Sequence, residues 1–309
     1  MTGCLAETGV AVIGGDKRQI RVVEELLNRA AWVRTYALLG VPAKFGVQQA
    51  EDEEAAVTGA GVLLFPISGV SSDGTVRTGE PSGKIRLSPD FFHRLEPGTL
   101  IAAGKTPEIW LKTAADLGIR ILEYAELDEV AVPNAIPTAE GAIQLAIQAV
   151  PVTLHNNPCL VTGFGRVSQA LARMLLGIGA KVFVAARNPR QLEAAAKLGC
   201  QTLPLGDLAA NIGPMWVIFN TVPALVLTRE ILKNVRSGAA IIDLASAPGG
   251  TDFAAAREFG INAVLALGLP GKVAPLTAGE ILASTIPNLI ERELSRWVGM
   301  EAKTCKLNP

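Results

Sequence analysis

The sequence predicts an α/β fold in which two doubly wound domains follow one another. Three observations carry that expectation. Short apolar runs alternate with stretches of helical period along the 309 residues. A strand, glycine turn and helix pattern starts at residue 9 and starts again at residue 159. The composition is 49 % hydrophobic, 18 % charged and 5 % aromatic, with 31 glycines. So small a charged fraction excludes a disordered chain, and the glycine excess suits packed α/β layers better than a β-sandwich. A domain takes roughly 100–200 residues, so the length accommodates two.

The first run, Gly9-Val-Ala-Val-Ile-Gly-Gly-Asp16, reads as a strand and its turn. Ile20, Val23, Leu26, Leu27 and Ala30 then recur at helical spacing over 17–30. Further strands are expected at 33–39, 61–67, 99–102 and 119–122, with helices at 51–57, 88–94 and 107–116. Short apolar runs alternating with helical stretches in this way indicate a parallel sheet covered on both faces. Residues 71–86, rich in Ser, Gly, Thr and charge, read as a surface loop or hairpin. Pro137 is expected in the first turn of a helix over 137–149, with Ile143, Ala146 and Ile147 as its apolar stripe. This helix reads as the bridge between a first domain at 1–150 and a second at 151–309, with Pro151–Pro158 as the boundary loop.

In the second half, strands at 159–163, 181–186, 201–204, 216–220, 239–244 and 262–266 alternate with helices at 166–178, 189–198, 228–235 and 252–259. Thr251 is expected to cap the last of these and Gly260 to close it. A long helix over 276–298, interrupted at Pro287, ends the pattern. The segment from about 288 to 309 is expected to pack back on the first domain, and a cleft is expected between the two.

Several function classes are disfavoured. Net charge is −1 and the pI about 6.2, so no global basic field points to nucleic acid. Residues 1–150 hold 13 basic and 19 acidic side chains, and residues 151–309 hold 15 and 10, which makes the second half the better anion binder if the difference is more than chance. Four cysteines without C-x-x-C spacing and only two histidines, His93 and His155, argue against a metal site or a disulfide framework. His155 reads as a structural hydrogen-bonder rather than a base. Residues 141–165 and 208–228 lack Asp, Glu, Lys and Arg, but Pro and Asn break both, so neither reads as a membrane span. The N-terminus lacks a basic segment followed by an apolar one, and a cytoplasmic protein is expected.

Gly163-Phe-Gly165-Arg-Val-Ser168 follows an apolar strand and opens a helix, the context of a Rossmann dinucleotide-binding domain. Gly163 would allow the tight turn. Gly165, with Arg166 and Val167 at the helix start, would bring backbone N–H groups to a pyrophosphate. Ser168 stands where Gly or Ala is usual and is small enough for the same packing. Arg187, 24 positions after Gly163, and Asn188 end the second strand, where an acidic residue would serve NAD. A guanidinium there pairs with a 2′-phosphate, which favours NADP; a plain surface arginine is the alternative. Thr221, Val222 and Pro223 follow the fourth strand of this half and Ser246 follows the fifth, all expected along the cofactor groove unless these are only turns. Gly14-Gly-Asp-Lys-Arg18 and Ser68 occupy similar strand ends in the first half. Arg18 could clamp a substrate carboxylate; a polar first helical turn is the other reading. No Ser-His-Asp order, H-E-x-x-H or Walker lysine loop is present.

The stretches Val12-Ile-Gly-Gly-Asp16 with Arg18-Gln19, Ile136-Pro-Thr-Ala-Glu-Gly141, Asp243-Leu-Ala-Ser246 with Pro248-Gly-Gly-Thr-Asp-Phe253, and Gly268-Leu-Pro-Gly271 with Ala274-Pro resemble, in order, the family of dipicolinate synthase A-subunits of spore-forming bacteria. The resemblance implies oxidation of 2,3-dihydrodipicolinate to dipicolinate with NADP in the mother cell during sporulation, beside a flavoprotein-like B-subunit of dipicolinate synthase. It extends more distantly to two-domain dehydrogenases of 2-hydroxy acids and alanine. For the small dicarboxylate substrate the expected residues are Arg18 for a carboxylate, Ser68 and Asn134 for hydrogen bonds, and Thr138 or Glu140 near the cleft, with Glu140 as proton acceptor. A homo-oligomer is expected and no metal. A dehydrogenase of another small acid and a non-enzymatic NADP-sensing protein stay open as alternatives.

Overall fold

The computed structural model describes residues 4–42, 46–79 and 83–304, with side chains to 296. Two compact units share the chain: the first holds the residues up to Ala131 and those from Pro275 onward, and the second holds Val132–Ala274. Each is built around a six-stranded sheet, all of whose neighbouring strands run parallel. Mixed α/β architecture with two doubly wound sheets is therefore as the sequence predicted.

In the first unit the chain runs β1 (Gly9–Ile13), α1 (Lys17–Leu27), β2 (Trp32–Tyr36), β3 (Gln48–Gln49), α2 (Glu53–Val57) and β4 (Val62–Leu64). It continues with a hairpin of β5 (Thr75–Arg77) and β6 (Lys84–Arg86), then β7 (Leu100–Ala103), α3 (Glu108–Asp116) and β8 (Arg120–Glu123). The sheet order is β3-β2-β1-β4-β7-β8. Every residue of β1 is buried, because both of its faces are covered. Val10 and Val12 face one core with Val22, Val23 and Leu26 of α1; Ala11 and Ile13 face the other with Phe65, Phe91 and Trp110. The helix expected over 88–94 is only a short 3₁₀ turn, Phe91–Arg94. Phe91 and Phe92 are both buried against Trp110, with ring centroids 5.5 and 5.0 Å away, and a single tight turn lets both neighbours reach it. The two-residue strand β3 carries too little pattern to be expected from sequence.

α4 (Asp128–Ala149) contradicts the expected start at Pro137: it is helical from Asp128, with Pro133 and Pro137 inside. Each proline removes only its own N–H bond, and at a spacing of four the two gaps fall on one side of the helix. The buried stripe is Ala139, Ala142, Ile143 and Ala146, packed with the β9–α5 core of the second unit, so the division falls near residue 131 rather than at 150. Ile147 lies 58 % exposed at the edge of that stripe instead of within it.

The second unit continues with β9 (Pro158–Thr162), α5 (Arg166–Ile178), β10 (Lys181–Ala186), α6 (Pro189–Leu198), β11 (Gln201–Pro204) and α7 (Leu208–Asn211). β12 (Val217–Asn220), α8 (Arg229–Leu232), β13 (Ala240–Asp243), α9 (Phe253–Glu258), β14 (Asn262–Leu265) and α10 (Leu269–Val273) complete it. Its strand order is β11-β10-β9-β12-β13-β14, the same permutation as in the first unit. His155 bonds through Nδ1 to the Ile178 carbonyl at 2.9 Å, a structural contact as expected.

α11 (Pro275–Thr304) returns to the first unit. It is continuous through Pro287 rather than interrupted there. Leu282, Ile286, Leu289, Ile290 and Leu294 bury one face among the α1 side chains, and that packing outweighs one missing hydrogen bond. A β-carbon at Gly279 would lie 2.9 Å from Arg21 Cγ, so glycine allows the close crossing. Arg29, just beyond the end of α1, bonds to Asn288 and Glu291 at 2.9 and 2.5 Å. The packing thus begins well before residue 288, and residues 305–309 of the expected terminal segment lie outside the described residues.

Candidate functional site

In the second unit, β9 ends in the turn Gly163-Phe164-Gly165 that opens α5. Gly163 has φ +80°, and a β-carbon there would sit 2.9 Å from Thr221 Oγ1 and 3.1 Å from Val222 Cγ2. Its N–H donates to the Ala185 carbonyl at 2.8 Å, which pins the turn to the end of β10. Gly165 is different. It caps α5 with ordinary φ −86°, no side chain caps the helix, and a β-carbon there would meet nothing within 4 Å. A helix start leaves up to four N–H groups without intrahelical partners, at the positive end of the helix dipole. Uncapped N–H groups facing open space fit a pyrophosphate.

Arg166 and Val167 are half-buried on the first turn of α5. Ser168 is fully buried, and its Oγ lies 2.7 Å from Thr221 Oγ1. The Thr221 hydroxyl donates in turn to the Thr162 carbonyl at 2.7 Å. Ser168 and Thr221 thus support the floor of the turn. Arg187 is exposed two residues beyond Ala185 and makes no hydrogen bond or ion pair with other described residues. Asn188 caps α6 by accepting from Arg190 N at 3.0 Å, which fixes where β10 ends. Val222 is half-buried, while Pro223 and Ser246 are exposed on the loops after β12 and β13.

A buried polar network ties those loops down. Thr162, Asn220 and Asp243, neighbours in register at the ends of β9, β12 and β13, are each 0 % exposed. Thr162 Oγ1 donates to Asn220 Oδ1 at 2.6 Å, and Asn220 Nδ2 donates to Asp243 Oδ1 at 2.9 Å. Asp243 also accepts from Ala245 N, Gly250 N and Thr251 Oγ1 at 3.1, 2.9 and 2.6 Å. Thr251 is therefore not the cap of α9; its hydroxyl turns inward, and Asp252 caps by accepting from Ala255 N at 2.9 Å. Sequence reasoning finds Asn220 and Asp243 only as members of strand-ending turns, since residues 23 apart meet only through strand register.

The first unit offers the equivalent turn in a closed form. Gly14, φ +67°, donates to the Tyr36 carbonyl at 2.8 Å, as Gly163 does to Ala185. Here, however, Gly15 N donates to the Arg77 carbonyl at 2.8 Å, so the β5–β6 hairpin lies on the turn. Asp16 caps α1 by accepting from Arg18 N at 3.0 Å. The Arg18 side chain, 11 % exposed, doubles back on the same carboxylate, with Nε 2.9 Å from Oδ1 and Nη2 2.7 Å from Oδ2. Burial acts to raise the Asp16 pKa, but the Arg18 hydrogen bonds and charge outweigh it and hold the carboxyl below its ordinary range. Ser68 is exposed in the turn after β4. That turn interlocks with the loop after β7: Gly104 N donates to the Pro66 carbonyl at 3.2 Å and Val70 N to the Lys105 carbonyl at 2.9 Å. Tyr124 is buried beside this edge and donates to the Phe65 carbonyl at 2.7 Å; burial drives its pKa upward.

On α4, Asn134 and Thr138 share one side, and Thr138 Oγ1 donates to the Asn134 carbonyl at 2.8 Å. Asn134 Oδ1 is buried without a partner. Glu140 is exposed and, at about 100° per residue, projects from nearly the opposite side to Thr138. The structure brings Asn134 and Thr138 together and leaves Glu140 apart.

Among the described residues no group of three metal-ligating side chains occurs, and no helix is long and apolar enough to cross a membrane. Burial pushes the Cys159 thiol up to about 12, so it is unreactive packing.

Fold and turn together define a two-unit α/β protein with Rossmann-like sheets. An L-alanine dehydrogenase shares the fold alone, at TM-score 0.59 and 14 % identity, over 91 % of this chain and 89 % of that one. Residues 9–125 match the family model for the N-terminal domain of the dipicolinate synthase A-subunit. The chain is 33 % identical to the dipicolinate synthase A-subunit of Bacillus subtilis over 91 % of its length and 95 % of the relative's. The crystal structure of the dipicolinate synthase A-subunit from Bacillus halodurans matches with TM-score 0.87 and 34 % identity, covering 93 % of this chain and 99 % of that one. The protein belongs to the dipicolinate synthase A-subunit family.

Proposed function

We propose that the protein is an oxidoreductase that converts 2,3-dihydrodipicolinate to dipicolinate with NADP⁺. The observation that carries the reading is the uncapped start of α5 behind Gly165, open where the equivalent turn of the first unit is closed. Family membership supplies the substrate class.

The residues divide as follows. The first-turn N–H groups of α5 hold the pyrophosphate, with Gly165 leaving the space and Gly163 making the turn. Arg187, exposed and without a protein partner among the described residues, pairs with the 2′-phosphate and so favours NADP⁺ over NAD⁺. When bound, the dinucleotide supplies the hydride acceptor. The substrate is a dianion. Arg18 offers the N–H donors of Nη1 to one carboxylate while Asp16 holds the rest of the guanidinium in place. Ser68, and Asn134 with Thr138, supply hydrogen bonds. Loss of one hydride and one proton makes the ring aromatic, so the reaction needs positioning more than a strong base. The proton passes to water; Glu140 sits on the other side of α4 from Thr138. As in the family, we propose a flavoprotein-like B-subunit as partner and a role in the mother-cell cytoplasm during sporulation.

The test is anaerobic, because air oxidation would mimic the product. Freshly made 4-hydroxy-tetrahydrodipicolinate, which dehydrates to dihydrodipicolinate, is mixed with NADP⁺ and the protein. NADPH should rise one for one with dipicolinate. Reduction only after the flavoprotein-like partner is added makes the complex the catalytic unit. No reduction in either arrangement overturns the proposal.

A further inference from the structure

The Thr162–Asn220–Asp243–Thr251 network does more than hold strands. β9, β12 and β13 are otherwise apolar and fully buried toward these ends, so Val or Ile at 162, 220 or 243 would serve the sheet alone. A carboxylate with no exposure is retained at a desolvation cost, and here every bond it receives leads to a loop or to Asn220, which itself holds one. Asp243 grips both ends of the 244–251 segment, through Ala245 N on one side and Gly250 N with Thr251 Oγ1 on the other. Asn220 grips the neighbouring loop by accepting from Val222 N and donating to the Val222 carbonyl, both at 3.1 Å. The loops are then sewn together: Val226 N and Leu227 N donate to the Gly250 carbonyl at 3.0 and 2.9 Å. A β-carbon at Gly250 would lie 2.5 Å from Val222 O, Ala224 O and Asn220 Nδ2, so the fit leaves no slack.

These loops leave the ends of β12 and β13. In this strand order that edge lies on the far side of β9 from β10, where Arg187 is placed. Ligands lie across the strand ends at the reversal of strand order, so a dinucleotide anchored at α5 and Arg187 lays its nicotinamide half along the β12–β13 side. Resting on the dinucleotide reading above, we propose that Asn220, Asp243 and Thr251 are positioning residues. Their hydrogen bonds set the two loops that receive the nicotinamide half and leave the adenosine half untouched.

The experiment compares NADP⁺ with 2′-phospho-ADP-ribose, which lacks only the nicotinamide ring, by calorimetric titration of the full chain. Thr251→Val keeps the side-chain shape and removes the hydroxyl; Thr251→Ser keeps the hydroxyl. Thr251→Val should weaken NADP⁺ about tenfold, the size of one lost hydrogen bond to a charged group. It should leave 2′-phospho-ADP-ribose within about twofold, and Thr251→Ser should restore NADP⁺. If Thr251→Val does not fold, Thr162→Val removes the hydroxyl at the other end of the network and takes the same comparison. A lowered melting temperature with both affinities unchanged, or equal weakening of both ligands, overturns the positioning role. Wild-type protein that binds neither ligand overturns the dinucleotide reading, and this proposal with it.

Discussion

Replacing Gly165 with valine separates a ligand site from a folding requirement. In the structure the position has φ −86°, open to any residue, and a β-carbon there meets no atom within 4 Å. The cost to the fold is that of a poorer N-cap, about 1 kcal/mol. In a unit of this size that lowers the melting temperature by roughly 2–4 °C. The same side chain fills the space in front of the α5 N–H groups. Each hydrogen bond to a charged group contributes about 1.5–3 kcal/mol, so losing two weakens a dinucleotide by more than about a hundredfold. Gly163→Val is the control. Its φ of +80° and the 2.9 Å approach to Thr221 Oγ1 make it a folding lesion, with a large fall in melting temperature. The assay is NADP⁺ titration by calorimetry beside a thermal melt for each variant. Gly165→Val with undiminished NADP⁺ affinity and a normal melt would refute the reasoning, since the turn would then be only a turn.

Three further outcomes are expected. Arg187→Asp should weaken NADP⁺ by about tenfold to a hundredfold and spare or improve NAD⁺; equal loss of both in parallel titrations removes Arg187 from the 2′-phosphate. The folded pKa of Asp16 is depressed, so its contribution is complete above the unfolded value of about 3.9 and is lost as pH falls through the folded one. The difference in urea stability between wild type and Asp16→Asn should therefore stay constant above about pH 4 and shrink only as pH falls below it, and a difference that does not shrink there would show that the ionised Arg18 pair contributes nothing. Calorimetry should also return one dinucleotide per chain; two would mean that the β5–β6 hairpin leaves the Gly15 turn in the presence of ligand.

What is legible in the sequence is what backbone chemistry dictates locally. Gly163 and Gly14 must be glycine for positive φ, and the strands stand out because both faces of each sheet are covered. The prolines mislead. Pro137 reads as a helix start and Pro287 as a break, yet each removes one bond from a helix held by an apolar face: Ala139, Ala142, Ile143 and Ala146 in one case, Leu282, Ile286, Leu289 and Ile290 in the other. Arg18 reads as a free cation in the sequence because its partner, two positions away, is judged by its place in the turn. Only the side-chain geometry shows the Asp16 carboxylate serving the helix N–H and the guanidinium together. The Asn220–Asp243 pair is beyond sequence reasoning, since only the parallel register of β12 and β13 brings the two side chains together.

The two units carry the same strand order and the same glycine turn after the first strand, yet the chemistry at the turns is opposite. The difference reduces to what meets the helix start. At α1 a carboxylate two residues after Gly14 caps the helix, an arginine neutralises it, and a hairpin carbonyl takes the Gly15 N–H. The Asp16 carboxylate does for the helix what a bound anion would do, and the hairpin covers the turn in front of it, so the positive end of α1 is already satisfied. At α5 the residue two after the equivalent Gly163 is glycine, and no side chain caps the helix. Fold alone therefore does not say which unit takes the dinucleotide. The proposed assignment rests on a carboxylate at Asp16 against a hydrogen atom at Gly165: one closes the helix end with a charge of its own, and the other leaves the helix end without a side-chain cap.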